Sequence, residues 1–258
     1  MAEFSGEDLS GSRFERVRLR AARFRDVDMS GVRFHDVALH GAVLRGVELQ
    51  DVEIDGDVEG LTINGVDVGP LIEAELDRRY PDRVKMRPSD PEGFREAWDV
   101  VERLWEQTVT RARRLDPRLL HESVDGEWSF IETLRHLVMA TECWVHRVVL
   151  GDPAPWHPLS LPFDGMPDTP GVPRDREARP SLDVVLDLRR DRMATVRQVI
   201  DGLTDASLAA ATVPVDAPGW PPPRSSAVAD CLRIVLNEEW QHRLYAERDL
   251  AVLETRGT

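Results

Sequence analysis

From Phe4 onward, every fifth residue is large and apolar: Phe4, Leu9, Phe14, Leu19, Phe24, Met29, Phe34, Leu39, Leu44, Leu49 and Ile54. Two positions before each, from Ser12 on, stands a small or β-branched residue: Ser12, Val17, Ala22, Val27, Val32, Val37, Ala42, Val47 and Val52. A period of five fits neither the helical 3.6 nor the strand period of 2.0. It fits a square coil in which each side turns one large and one small side chain inward, with the Arg, Asp, Glu and Gly residues between them facing solvent. No other feature of the chain narrows the fold as much.

This pattern resembles the pentapeptide-repeat family, whose fold is a right-handed quadrilateral β-helix with four pentapeptides per coil. The resemblance runs over residues 1–55 and spans fewer than three coils. Eight arginines stand there against eleven acidic residues, a net of −3. Long, strongly acidic members of the family mimic DNA, and this short, nearly balanced segment does not match them. A short solenoid exposes both ends and needs a cap. Docking on the rest of the chain or self-association would supply one, so a homo-oligomer through solenoid or bundle is among the expectations.

Beyond Gly56 the period is lost, and irregular strand and turn lead to Gly69-Pro70. A short helix is predicted from Leu71 to Tyr80, and Pro81, Pro88 and Pro91 mark a linker. The remainder reads as helical. Trp98, Val101, Leu104, Trp105, Thr108, Val109 and Ala112 form an i, i+3, i+4 stripe closed by Pro117. A second helix is predicted over 129–150, opened by Ser129 and Glu132 at capping-box spacing and stopped by Gly151-Asp152-Pro153. A Pro-rich loop over 151–180 follows, then a third helix over 181–203. A second Pro-rich stretch, 214–223, leads to a fourth helix over 225–253. Four long helices with long connections describe a bundle. The predicted class is α+β, mainly α: a solenoid over 1–70, a helix and linker over 71–91, and a bundle over 92–258.

Composition removes several functions. The net charge of −14 repels phosphate backbones and anionic lipid, which argues against nucleic-acid and membrane partners and leaves a small-molecule substrate. No apolar run is long enough for a membrane helix, and no basic-then-apolar leader opens the sequence. Cys143 and Cys231 lie in helix-patterned segments, as reduced thiols of a cytoplasmic protein would.

The chemistry concentrates on the last helix. At core spacing it reads Val228, Cys231, Val235, Glu238, His242 and Tyr245, so an apolar seam ends in a carboxylate and an imidazole one turn apart. Groups at i and i+4 reach a common point, and burying them unpartnered is costly. His136 sits in an apolar setting on the second helix, Leu134-Arg135-His136-Leu137-Val138. Two histidines and one carboxylate from facing helices make a ligand set for one divalent metal with open positions.

Here the sequence resembles the DinB-like superfamily, which includes the metal-binding domain of mycothiol-dependent maleylpyruvate isomerase and the bacillithiol transferases. Trp128-Ser129-Phe130-Ile131-Glu132-Thr133-Leu134-Arg135-His136-Leu137 is similar to its second helix, and Asn237-Glu238-Glu239-Trp240-Gln241-His242-Arg243 to its last-helix motif. His136 and His242 match the family's metal ligands, while Glu238 stands where the family usually has another histidine. The resemblance implies a divalent metal (Zn, Ni, Fe or Mn), a low-molecular-weight thiol such as mycothiol, and thiol S-transfer or a related hydrolysis or isomerisation. Read from the residues themselves, Glu239 is a candidate base or supporting carboxylate, Arg243 an anchor for an anionic substrate, and Trp128, Trp156 and His157 candidate pocket lining. Each residue has a plainer reading. A lone buried histidine is commonly a satisfied core residue, Glu238 could pair with an arginine, and His157 could be a surface residue. Two rivals follow: a metal-free assembly protein with a degenerate site, and a cofactor-independent catalyst using Glu238 and His242 as an acid–base pair.

Overall fold

Side chains that replace missing helical partners set where this chain becomes helical. Asp90 accepts a hydrogen bond from the Gly93 N–H at 2.9 Å, and Pro91 takes the first helical position, where no N–H is required. Ser129 and Glu132 form the expected capping box. The Glu132 carboxylate accepts from the Ser129 N–H at 2.9 Å, and the Ser129 hydroxyl accepts from the Glu132 N–H at 3.3 Å. Ser181 caps the next long helix in the same manner.

The structure, a computed structural model, describes residues 3–35, 37–56 and 58–256. It divides into two units, Met1–Gly56 and Asp57–Thr258. The second opens with a two-stranded antiparallel hairpin, β1 (Thr62–Ile63) and β2 (Val66–Asp67), joined through Asn64-Gly65 with both residues at positive φ. Helix α1 (Gly69–Arg79) follows, then α2 (Pro91–Ala112), α3 (Phe130–Thr141), α4 (Leu182–Asp201), the short α5 (Asp205–Ala209) and α6 (Val228–Arg256). Helices α2, α3, α4 and α6 pack on one another around a core that includes Phe94, Trp98, Leu134, Leu137, Val196, Ile200, Leu232, Val235 and Leu250. This is the helical bundle that the four predicted helices imply.

The helix expected over 129–150 changes type part-way. From Glu142 to Val149 it is a π-helix, and the Leu150 N–H reaches back five residues to the Val145 carbonyl at 2.9 Å. The wider turn shifts every later side chain relative to a regular helix. Glu142 and Arg147, on this segment, are buried and point into polar surroundings at different places.

Two arginines tie the Pro-rich connections to the bundle. Arg135, fully buried, donates to the carbonyls of Leu159 (2.8 Å), Ala178 (3.2 Å) and Asp175, all in the connection before α4. Arg147 donates to the carbonyls of Pro153 (3.2 Å), Val215 (3.1 Å), Ala217 and Pro221 (3.4 Å), reaching both Pro-rich stretches. A buried cation without a close counter-charge is tolerated only when its donors are filled. Prolines lack N–H groups, so these segments cannot satisfy themselves by regular secondary structure, and the guanidinium forks collect their carbonyls. Burial holds both guanidinium pKa values below the ordinary range. Among the described residues no helix is long and apolar enough to cross a membrane.

The first unit keeps the five-residue period in its backbone. Gly6, Gly11, Arg16, Ala21, Asp26, Gly31, Gly41, Gly46 and Asp51 all have φ between 53° and 75°, each two residues after a large apolar side chain. Turns closed by Ser12 N–H to Leu9 O, Ala22 to Leu19, Val32 to Met29 and Ala42 to Leu39 recur every ten residues at 3.0–3.1 Å. The expected β-helix differs in one respect. Among the described residues of this unit there is no strand, and the side chains expected inward are exposed, Phe14 at 60% and Phe34 at 61%. A coil buries its inward residues only against coils hydrogen-bonded above and below it. The backbone hydrogen bonds seen here all close turns within one repeat pair.

A Cβ at Gly219 would lie 2.7 Å from the Arg147 guanidinium carbon and 2.9 Å from the Trp156 ring, both held in place. Gly219→Ala should therefore destabilise the bundle by about 1–3 kcal/mol, read by calorimetry as a Tm lower by a few degrees. An unchanged Tm would show that the Arg147 cage yields freely.

Candidate metal centre

His136 lies on the buried face of α3, and Glu238 and His242 lie one turn apart on the facing side of α6. Their donor atoms all fall within 4.8 Å of one another. His136 Nε2 is 3.3 Å from Glu238 Oε2, and His242 Nδ1 is 3.4 Å from the same oxygen. The two imidazoles are stacked with ring centres 4.8 Å apart. Trp128, just before the Ser129 cap, covers both, with its ring centre 4.5 Å from that of His136 and 5.9 Å from that of His242.

Hydrogen bonds fix the tautomers. His136 Nδ1 is 3.1 Å from the Leu161 carbonyl, and a carbonyl only accepts, so Nδ1 carries the proton. His242 Nδ1 likewise donates to the Glu238 carbonyl at 3.0 Å. In a neutral His136 the Nε2 lone pair then faces a carboxylate oxygen at 3.3 Å. Two acceptors at that distance repel unless a cation or a proton stands between them. For Glu238, burial pushes the carboxyl up, but the hydrogen bond from His136 and the charge that the two imidazoles carry when protonated outweigh it, so its pKa lies below the ordinary value. His242 is pushed down to about 4, chiefly by burial and then by the neighbouring His136, so it is neutral at pH 7.

These residues fit a divalent cation. Neutral imidazole and ionised carboxylate are the ligand forms. Metal-bound histidines commonly donate their second ring N–H to a carbonyl or carboxylate, as His136 does to Leu161 and His242 to Glu238. Three protein donors also leave at least one coordination position open.

The remaining expected site residues lie in other surroundings. Glu239 is buried and held by Arg189 at 2.8 Å and 3.3 Å, because one step along a helix turns a side chain about 100° from Glu238. Arg243 donates to the Leu104 carbonyl (3.2 Å) and the Thr108 hydroxyl (3.0 Å), so it ties α6 to α2. Both side chains are thus engaged in contacts between helices. Trp156 packs with Met139, Cys143, Phe163 and Trp220 in a second apolar cluster. His157 accepts from the Leu159 N–H at 3.1 Å within its own loop, and its backbone N–H donates to Glu142.

A sequence profile of the DinB superfamily matches residues 101–246, more than half of the 258-residue chain, and the three convergent donors lie within the match. The chain belongs to the DinB superfamily. A profile described as pentapeptide repeats (9 copies) matches residues 2–43. No curated protein and no solved structure matches the chain. In DinB superfamily terms, this bundle carries a His/Glu/His set at the face where α3 meets α6.

Sequence patterns did not mark two groups that shape this centre. One is the Leu161 carbonyl, which no residue type announces. The other is Glu142, fully buried, which accepts from the Ser160 hydroxyl, from Arg192 (2.8 and 3.1 Å) and from the His157 N–H (3.2 Å). Glu142 thus fastens the segment just before Leu161. Burial pushes its carboxyl up to about 7, against the lowering effect of Ser160 and Arg192. The folded pKa exceeds the unfolded one, so the folded state holds the extra proton between about pH 4.5 and 7 and loses stability as pH rises through that window. Glu142→Gln should remove this contribution. Wild-type stability measured against the variant in urea should fall by on the order of 2–3 kcal/mol from pH 4.5 to 7.5. Parallel curves would refute the assignment.

Proposed function

We propose that this DinB superfamily bundle is a metal-dependent enzyme that activates a thiol or water, most specifically a transferase acting with a low-molecular-weight thiol of the mycothiol type. The observation that carries the reading is the convergence of His136 Nε2, the Glu238 carboxylate and His242, an opposition of acceptors that a divalent cation between them would relieve. His136, Glu238 and His242 would hold the metal, and the bound metal would lower the pKa of a ligated thiol or water toward neutrality. The chain's own residues do the rest. Leu161 and the Glu238 carbonyl orient the imidazoles, and Trp128 shields both rings. In S-transfer the sulfur bonds to an electrophilic carbon, the leaving group departs with its electron pair, and the thiol proton passes to solvent. A hydrolase or isomerase would use the same open position.

Metal analysis of purified protein reconstituted separately with Zn, Ni, Mn and anaerobic Fe(II) tests this. One equivalent of at least one metal is expected, with loss in His136→Ala and His242→Ala and a rise in wild-type Tm on loading. A protein that takes up no metal would leave His136 as an imidazolium paired with Glu238, and the reading would fall. Incubating the loaded protein with a panel of thiols and electrophiles, read by mass spectrometry, should then give adducts that disappear in His242→Ala.

The regularly spaced, exposed Phe14, Phe24 and Phe34 favour a second role for the repeats: self-association, since a second copy presents the same spacing. Sedimentation should show a concentration-dependent dimer or larger species that a Phe14→Asp, Phe24→Asp, Phe34→Asp variant loses. A monomer at all concentrations would exclude it.

A further inference from the structure

A cavity of about 360 Å³ opens beside the start of α6, bounded by Trp144, Arg224, Cys231 and Ile234. Its position follows from α6. Ile234 precedes Glu238 by one turn and Cys231 precedes it by two, so both lie on the stripe that carries Glu238 and His242. Along the axis they stand roughly 6 and 10 Å from Glu238. The opposite wall is Trp144, on the π-helical segment that continues the His136 helix. The cavity is therefore bounded by the segment that leads into α6, the first turns of α6 and Trp144.

Its chemistry is mixed. Trp144, Ile234 and the buried thiol of Cys231 are apolar or weakly polar, and burial pushes that thiol's pKa up, so it stays uncharged. Arg224 is the one cation of the lining. Its guanidinium carbon lies 5.2 Å from the Trp144 ring centre, and among the described residues it makes no hydrogen bond or ion pair. Arg135, Arg147 and Arg189, by contrast, have their donors filled by carbonyls or a carboxylate. Asp230, at the rim, is held by Arg233 at 3.0 Å. A guanidinium stacked on an indole keeps its planar fork and in-plane donors available, which suits bidentate binding of a carboxylate.

We propose that this cavity is a binding site for a small organic carboxylate, with Arg224 taking the anionic group and Trp144 and Ile234 the apolar body. As the substrate pocket of a metal-dependent enzyme it rests on the function proposed above; as a carboxylate site it stands on the cavity alone. The volume accommodates a compound of about a dozen non-hydrogen atoms.

The two levels separate experimentally. Calorimetric titration with 4-phenylbutyrate and with its primary amide, in wild type, Arg224→Gln and His242→Ala, should show the carboxylate binding about ten-fold or more tightly than the amide. Arg224→Gln should erase that preference, and the exposed position makes a folding defect an unneeded explanation. Retained preference in His242→Ala places the anion on Arg224 and not on a metal. The same retention in a protein that takes up no metal would sink the enzymatic reading and leave the carboxylate site intact. Equal binding of acid and amide, an Arg224→Gln variant that still discriminates, or no binding of either compound at millimolar concentration would each overturn the proposal.

Discussion

Adjacent residues on α3, Arg135 and His136, hold the long connection between the Val149 end of the π-helix and α4, and the candidate centre depends on that attachment. Arg135 gathers the carbonyls of Leu159, Asp175 and Ala178, while His136 donates to the carbonyl of Leu161. The Leu161 N–H closes the arrangement by donating to the Arg135 carbonyl at 3.2 Å. A loop that would otherwise carry unfilled polar groups becomes a rigid strap. The same strap sets the tautomer of His136, so the direction of its Nε2 lone pair follows from how the loop is held. Loop anchoring and ligand orientation are one interaction.

Buried charge follows a consistent logic in this acidic chain. Arg189 and Glu239 form a closed ion pair, with Arg189 also stacked 4.9 Å from the Trp105 ring centre. Arg135 and Arg147 are filled by carbonyls, and Glu142 by Ser160, Arg192 and a loop N–H. Each saturated group is costly to remove and has no capacity left for a ligand. Two places differ: the His136–Glu238–His242 cluster, where acceptors face each other, and the exposed Arg224 beside the cavity, which makes no hydrogen bond or ion pair among the described residues. Glu238 and His242 lie on α6, and Arg224 lies in the segment just before it.

The π-helical segment links the two. Regular i→i+4 winding would carry Glu142, Cys143, Trp144 and Arg147 on the helical period begun at His136. The wider turn displaces them, so that Glu142 meets the strap, Trp144 meets the cavity, and Arg147 meets the second Pro-rich stretch. Cys143 stays fully buried, and desolvation raises its thiol pKa well above the ordinary value, which leaves it a core residue.

Local signals in the sequence determined the helices, their caps and the i, i+4 placement of Glu238 and His242, because those depend on residues a few positions apart. They also determined the five-residue period, which reappears as left-handed backbone at every described fifth position from Gly6 to Asp51. Tertiary structure alone decided what closes the neighbouring carboxylate: Glu239, one residue beyond Glu238, meets Arg189 of α4, a partner that no local spacing announces. It alone supplied the Leu161 carbonyl, because backbone acceptors are the same at every residue. It also decided whether the repeats' apolar side chains are covered, for their burial depends on neighbouring coils and not on the order of residues within one.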